Sequence, residues 1–252
     1  MNIDPHQNAE IKLQEMAEAY VNFEILGTRV PIPYVLGYGR WQFHKTSGKG
    51  SVEEIRNELK RRAATQSVDL KTLSAGQIFK FMKENKIGID CSGLAYHLLN
   101  AYIFELTHQP LSDFIVRFGG TLGQFEKKFL QYKRQRRINA ATLTSDNNSR
   151  EIPKAAEIRI GDMVRIRKDL DHILVIAKLN LSNNQRIITY VHSSSTKHTK
   201  KQGPHYGTIE ITQPEKGLEF QNWTEMTKDG SNYGQAFFTP ELGDSVRRLI
   251  YV

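Results

Sequence analysis

The single cysteine of this 252-residue chain, Cys91, stands where a thiol can act as a nucleophile. Residues 91–106 (CSGLAYHLLNAYIFEL) place apolar side chains at helical spacing, and Asp90 is in position to cap that helix. The dipole and unpaired amides of a helix N-terminus lower the pKa of a thiol there, and the same amides can hold an oxyanion. The spacing therefore predicts a reactive thiolate at Cys91.

A thiolate nucleophile needs a base close in space and a third group that orients the base. His172 opens the strand candidate 172–179 (HILVIAKL), and His192 ends its predicted partner, 186–192 (RIITYVH), with a turn at 182–185. In such a hairpin the start of the first strand lies beside the end of the second. The pattern predicts two neighbouring imidazoles at one end of a sheet, as base and orienting residue.

Helices are predicted to dominate the first half of the chain. Apolar residues recur at spacings of three and four over residues 9–25. Capping boxes at Ser51 and Ser74 predict two further helices, which run to about residues 64 and 85. The glycines and prolines of residues 27–39 (GTRVPIPYVLGYG) predict a loop or a short extended segment.

The second half of the chain changes to β-branched and alternating residues from position 158 onward. Strands are predicted at 163–167, 208–212 and 247–252, in addition to the hairpin. Residues 142–150 (TLTSDNNSR) are rich in turn formers and predict an exposed loop. Helices followed by an antiparallel sheet indicate the α+β class.

Composition limits the classes of protein that fit. A content of 39% hydrophobic and 25% charged residues is typical of a globular domain, and we expect one domain over residues 1–252. One cysteine excludes an internal disulfide and a cysteine-rich zinc site. No stretch approaches the roughly 18 consecutive apolar residues of a membrane span. Residues 1–10 lack the pattern of a secretory signal, so a signal that was trimmed, export by another route and a cytoplasmic location all stay open.

Four segments, in this order, resemble the motifs of the NlpC-like cell-wall cysteine peptidases. They are residues 89–94 (IDCSGL), 159–164 (RIGDMV), 171–176 (DHILVI) and 190–194 (YVHSS). The resemblance implies a papain-like fold, in which the nucleophile begins a helix that packs on an antiparallel sheet. It also implies that Cys91 is the nucleophile, His172 the base and His192 the orienting residue.

A fifth segment, residues 33–37 (PYVLG), is similar to the G-x-P-Y-x-x-G segment of the same family. The resemblance implies that Tyr34 lines the substrate site, and that Asp90 and Ser92 help to hold the free amine of a peptide stem. The implied reaction is hydrolysis of the bond between γ-D-glutamate and a diamino acid in peptidoglycan. It requires no metal ion and no organic cofactor.

The chain departs from the family pattern in spacing and at one position. Long stretches separate the tyrosine segment from Asp90 and the nucleophile helix from Gly161, and Leu174 stands where a small residue is usual. We therefore expect helical insertions at about residues 41–86 and 111–155. These insertions would surround the cleft and alter the substrate preference.

The net charge of +8 and the pI near 9.4 imply attraction to anionic polymers, such as those of bacterial walls, and to nucleic acid. The densest basic run, residues 127–137 (KKFLQYKRQRR), is interpreted as a solvated helix face, and we predict no nucleic-acid partner. Two alternatives stay open. One is an amidase, deamidase or acyltransferase with the same nucleophile. The other is a non-catalytic module that binds wall polymer or nucleic acid.

The remaining histidines offer few metal ligands in sequence. His198 and His205 suggest a site together with His192, but there is no H-E-x-x-H motif and no acid at ligand spacing. We therefore predict no metal site. His97 and His108 are interpreted as packing or surface residues.

Overall fold

The computed structural model describes residues 4–36, 47–116, 138–167, 171–182 and 185–252. In these ranges a helical first part is followed by a large antiparallel sheet, which confirms the α+β class. The basic run 127–137 and the tip of the predicted hairpin turn, residues 183–184, lie outside the described residues. No helix in the described ranges has the length and apolar character that a membrane crossing requires.

The predicted helices are present, with one wrong boundary. They are α1 (Pro5–Val21), α2 (Val52–Thr65), α3 (Ala75–Glu84) and α4 (Cys91–Thr107). Both capping boxes form, because Ser51 and Ser74 each exchange hydrogen bonds with the residue three positions on. The prediction that the first helix continues to residue 25 is wrong. Leu26 and Gly27 both have positive φ and turn the chain between β1 (Glu24–Ile25) and β2 (Thr28–Arg29).

The main sheet has seven strands in the order β10-β9-β8-β7-β6-β11-β5, and each neighbouring pair is antiparallel. Its strands are β5 (Ser149–Glu151), β6 (Met163–Ile166), β7 (His172–Ser182), β8 (Gln185–Ser194), β9 (Gly203–Ile211), β10 (Asn222–Trp223) and β11 (Ser245–Leu249). The first residues of β7 pair with β6 alone, since pairing with β8 begins at Val175 opposite Val191. The two central strands therefore separate at this end of the sheet.

Helix α4 begins at that separation. The Ser193 hydroxyl, on β8, donates to the Ile89 carbonyl two residues before the helix, at 2.9 Å. On the other side, the Cys91 sulfur lies 3.7 Å from the Asp171 carbonyl oxygen, just before β7. The N-terminus of α4 thus contacts both strands where they part.

Both faces of the sheet are covered. Helices α1 and α4 pack on one face, against side chains that include Ile173, Val175 and Val191. The opposite face carries Leu174, Ile176 and Tyr190, and the C-terminal segment covers it with Trp223 and Tyr233. This alternation along β7 and β8 follows from the two-residue period of a strand.

The predicted loop at residues 142–150 is wrong in part. Its first residues belong to α6 (Ala140–Leu143), which Asn139 caps, and its last residues begin β5, the edge strand beside β11. Turn-forming residues act here as helix caps and strand boundaries. Helices α2 and α3 occupy the first predicted insertion, whereas the second holds only short pieces in its described part, namely α5 (Leu111–Phe114), α6 and β5. That either segment is an insertion stays a prediction.

The first turn of α4 lies against a short parallel ladder of β3 (Ser47–Gly48) and β4 (Gly88–Ile89). The Asp90 amide donates to the Gly48 carbonyl at 3.0 Å. A Cβ atom on Gly93 would lie 2.1 Å from that same carbonyl oxygen. Glycine at position 93 therefore allows the close approach that seats Cys91.

We predict that Gly93→Ala lowers the free energy of unfolding by about 1–3 kcal/mol, because the backbone must move to admit the methyl group. Gly76→Ala is the matched control, since its Cβ would meet no atom within 4 Å and it lies in helix α3. That control should raise stability by up to about 1 kcal/mol. Urea unfolding followed by circular dichroism measures both changes, and a Gly93→Ala variant as stable as the parent would contradict the packing described.

Candidate active site

Cys91 is the first residue of α4, and Asp90 caps the helix by accepting a hydrogen bond from the Gly93 amide at 2.7 Å. The sulfur is buried against the start of β7. It contacts the Asp171 carbonyl, and the amides of Ile173 and Ser92 also hydrogen-bond to it. Since Asp171 and Ile173 flank His172, the thiol lies beside the predicted base.

Burial raises the pKa of the Cys91 thiol to about 12, and the Asp90 carboxylate adds to this shift. Lys49 and the amides of Ile173 and Ser92 act in the opposite direction but do not offset burial. The prediction of a lowered thiol pKa is therefore wrong for this structure, because desolvation outweighs the helix dipole. Cys91 is a neutral thiol at neutral pH.

His172 and His192 are both buried, and their side chains meet. The Nε2 atom of His172 lies 2.9 Å from Nδ1 of His192. Burial, followed by the neighbouring His192, lowers the pKa of His172 well below its usual value. Burial also lowers the pKa of His192, although Glu225 opposes that shift. The structure thus holds two neutral imidazoles next to a neutral thiol.

Glu225 extends this chain of contacts. Its side chain is only 7% exposed, and its two oxygens lie 3.2 and 3.3 Å from Nε2 of His192. His205 Nε2 lies 2.9 Å from Oε1, and the Tyr190 hydroxyl donates to Oε2. Burial alone would raise the pKa of Glu225, but His192 and His205 together hold it well below its usual range. The group is a carboxylate.

These contacts determine which ring nitrogens carry protons. A carboxylate only accepts hydrogen bonds, so His192 donates from Nε2 to Glu225. A neutral His192 then has a lone pair on Nδ1, which accepts from Nε2–H of His172. The remaining nitrogen of His172, Nδ1, is left with a lone pair. This is the tautomer that a base requires.

Glu225 is a site residue that was not predicted from the sequence. The residue follows β10 in an irregular segment, 33 positions from His192, and no motif marks it. One signal was present, because His205 lies directly opposite His192 on β9. That pairing was missed because β9 begins at Gly203, whereas the predicted strand began at residue 208.

A lysine that the sequence analysis also missed lies against the residues predicted to bind an amine. Lys49 Nζ lies 3.0 Å from Asp90 Oδ1 and 3.2 Å from the Ile138 carbonyl oxygen, and it hydrogen-bonds to the Ser92 hydroxyl. Ser92 also donates to Asp90 at 3.0 Å. The chain's own ammonium group therefore already contacts Asp90 and Ser92, whose role in binding substrate stays a prediction.

Tyr34 lies on the same side of the site. It is half-buried and forms a bridge with Ile89, two residues before the nucleophile. The buried phenol of Tyr233 interacts electrostatically with both Tyr34 and Cys91. Arg165 approaches from β6, where its guanidinium bonds to the Asp171 carboxylate within electrostatic range of Cys91. All six predicted site residues thus gather around the start of α4 and β7.

Comparisons of this chain with protein-family models, with curated proteins and with solved structures find no match. The family resemblance therefore depends on the motifs quoted above. The contacts of Cys91 with Asp171, of His172 with His192 and of His192 with Glu225 are independent of it, because they come from the structure alone.

We predict that the rate of Cys91 alkylation by iodoacetamide rises about tenfold per pH unit from pH 7 to pH 10, without a plateau. A thiol with a pKa of about 12 gains thiolate in that proportion over the whole range. The same protein in guanidinium chloride is the control, since its exposed thiol should level off above about pH 8.5. Mass spectrometry measures the rate at this single cysteine. A rate that does not vary between pH 6 and pH 8 would show a thiolate at neutral pH and contradict the expectation.

Proposed function

We propose that this chain is a cysteine peptidase with a papain-like arrangement, in which Cys91 attacks a peptide carbonyl and His172 is the base. The observation that carries the proposal is the 2.9 Å contact between His172 and His192, together with the contact of the Cys91 sulfur with the carbonyl of Asp171, the residue just before His172. The substrate class comes from the resemblance. It is the stem peptide of peptidoglycan, cut between γ-D-glutamate and the diamino acid.

In the first step Cys91 begins as a thiol. His172 Nδ1 takes the sulfur's proton while the sulfur bonds to the scissile carbonyl carbon, and the carbonyl electron pair moves to the oxygen. The backbone amide of Cys91, at the N-terminus of α4, helps to hold that oxyanion. The imidazolium formed on His172 bonds to His192, whose other nitrogen bonds to the Glu225 carboxylate. Glu225 thus opposes the new positive charge through His192.

In the second step His172 gives its proton to the leaving amine, and the carbon–nitrogen bond breaks to leave a thioester on Cys91. His172 then takes a proton from water as the water oxygen bonds to the thioester carbon. It returns that proton to the sulfur when the carbon–sulfur bond breaks, which releases the acid and restores the Cys91 thiol. Glu225 and His205 act here as positioning residues. They keep His192 in the tautomer that accepts from His172.

The contacts of Lys49 indicate whether the stem peptide binds with a free or an acylated amine. Its ammonium is bonded to Asp90, Ser92 and the Ile138 carbonyl, and its side chain is only 10% exposed. A free amine on the substrate would meet a like charge there and an acid that is already paired. We therefore infer that the substrate end near Asp90 carries an acylated amine.

We predict that the protein cleaves purified muropeptides and that Cys91→Ala reduces kcat/KM at least about 10³-fold, because the nucleophile is lost. His108→Asn is the matched control, since His108 is exposed at the C-terminus of α4 and asparagine tolerates its left-handed backbone. Mass spectrometry of the products identifies the bond that is cut.

Cleavage by Cys91→Ala at the parent rate would overturn the proposal. If the parent cleaves no muropeptide but is acylated at Cys91 by activated esters, the enzyme acts on another acyl substrate. If neither reaction occurs, the chain is a binding module.

We predict that a stem tripeptide with an acetylated terminal amine is cleaved with at least the kcat/KM of the same peptide with a free amine. Lys49→Met should reverse this preference, because it removes the ammonium that contacts the Asp90 carboxylate and allows the substrate ammonium to take its place. Competition between the two peptides, followed by mass spectrometry, gives the ratio directly. A parent protein that prefers the free amine tenfold or more would exclude the role inferred for Lys49.

A further inference from the structure

Three side chains behind the proposed base form a cluster with the composition of a metal site. His192 and His205, directly opposite each other on β8 and β9, present their Nε2 atoms to the Glu225 carboxylate. These three ligand atoms lie within 4.8 Å of one another, and all three side chains are nearly or fully buried. The cluster meets His192 at Nε2, whereas His172 contacts the other ring nitrogen, Nδ1.

The hydrogen bonds of His205 orient its ring toward Glu225. His205 Nδ1 lies 2.8 Å from the Gly203 carbonyl oxygen, which can only accept, so Nδ1 is the donor of that hydrogen bond. The other ring nitrogen, Nε2, lies 2.9 Å from Glu225 Oε1. Nε2 is therefore the nitrogen of His205 that is placed to bind a metal ion.

We propose that His192, His205 and Glu225 bind a divalent metal ion of the zinc class. Two imidazoles and one carboxylate are a ligand set that Zn²⁺ accepts, with a fourth position open to water. Each ligand side chain also has a second hydrogen-bond partner that orients it, as ligands of metal sites commonly do. Gly203 holds His205, the Tyr190 hydroxyl holds Glu225, and His172 holds His192.

His205 also lines a surface cavity of about 440 Å³ whose wall includes Pro204, Tyr206 and the basic residues Arg29 and Lys201. Cys91 and His172 do not line that cavity. The proposed metal site is therefore next to a surface cavity that the thiol does not share.

The metal would act as an inhibitor, a consequence that rests on the proposed function. A metal ion on Nε2 of His192 forces the ring proton to Nδ1, which then donates to Nε2 of His172. A neutral His172 must in turn carry its own proton on Nδ1. In that tautomer it has no lone pair to accept the proton of Cys91.

Zinc titration of chelator-treated protein by calorimetry tests the site without any substrate. The measurement uses Cys91→Ala, so that the thiol cannot be a ligand, and we expect one ion per chain. His205→Gln in the same background should weaken binding at least tenfold. His198→Gln is the matched control, since His198 is a neighbouring histidine outside the cluster, and it should bind zinc as its parent does.

A parent that binds no zinc, or a His205→Gln variant that binds it equally well, overturns the site. X-ray absorption of the zinc-loaded Cys91→Ala protein keeps the test decisive if His205→Gln fails to fold. It should show nitrogen and oxygen ligands at about 2.0–2.2 Å that include two imidazoles. A spectrum with no imidazole ligand contradicts the proposal.

The inhibitory consequence has its own readout. The rate of muropeptide cleavage by the parent protein should fall when zinc is added and should recover when a chelator removes the zinc. A variant that no longer binds zinc should not be inhibited by it. Zinc binding without inhibition would overturn the consequence but leave the site standing. Absence of any cleavage bears on the proposed function, and the binding titration would still decide the metal site.

Discussion

The separation of β7 from β8 at one end of the sheet is the constraint on which the candidate site depends. The strands pair from Val175 opposite Val191 toward the hairpin tip. The first residues of β7 therefore do not pair with β8, and the N-terminus of α4 lies at this edge. Cys91 contacts the chain on both sides of His172, and Ser193 binds the segment just before the helix. Without this separation of the strands, the thiol and the two imidazoles could not lie close together.

Burial determines the protonation states of the thiol and the imidazoles. The same packing that brings Cys91 and His172 together removes both from water, and it therefore disfavours a thiolate and an imidazolium in the resting protein. In the proposed mechanism, charge separation therefore arises only during the reaction. Glu225 then becomes important, because it is a buried carboxylate that already accepts hydrogen bonds from His192 and Tyr190. It supplies a fixed negative charge behind the imidazole chain.

Glu225 and Lys49, two charged groups near the imidazoles and the thiol, have opposite effects on what can bind. Glu225 gathers two imidazoles around one carboxylate and so forms a place for a small cation. Lys49 fills a comparable place beside Asp90 and Ser92 with a cation of the chain itself. Glu225 is thus a proposed metal ligand, whereas Asp90 already pairs with the Lys49 ammonium. Glu225 contacts His192, whereas Lys49 contacts Asp90, so the proposed metal site and the proposed substrate contacts use different residues.

Local interactions explain what the sequence determined by itself. The capping boxes at Ser51 and Ser74, the Asp90 cap and the alternation of β7 and β8 act within a few residues, so helices α2, α3 and α4 and the central hairpin could be predicted. The neighbouring positions of His172 and His192 followed from that hairpin. Tertiary structure decided the rest. The contacts of Glu225 and Lys49 join residues 20 to 89 positions apart, and the high thiol pKa depends on how completely the fold buries Cys91. Neither long-range contacts nor desolvation is encoded in local spacing, because both arise only when distant segments pack together.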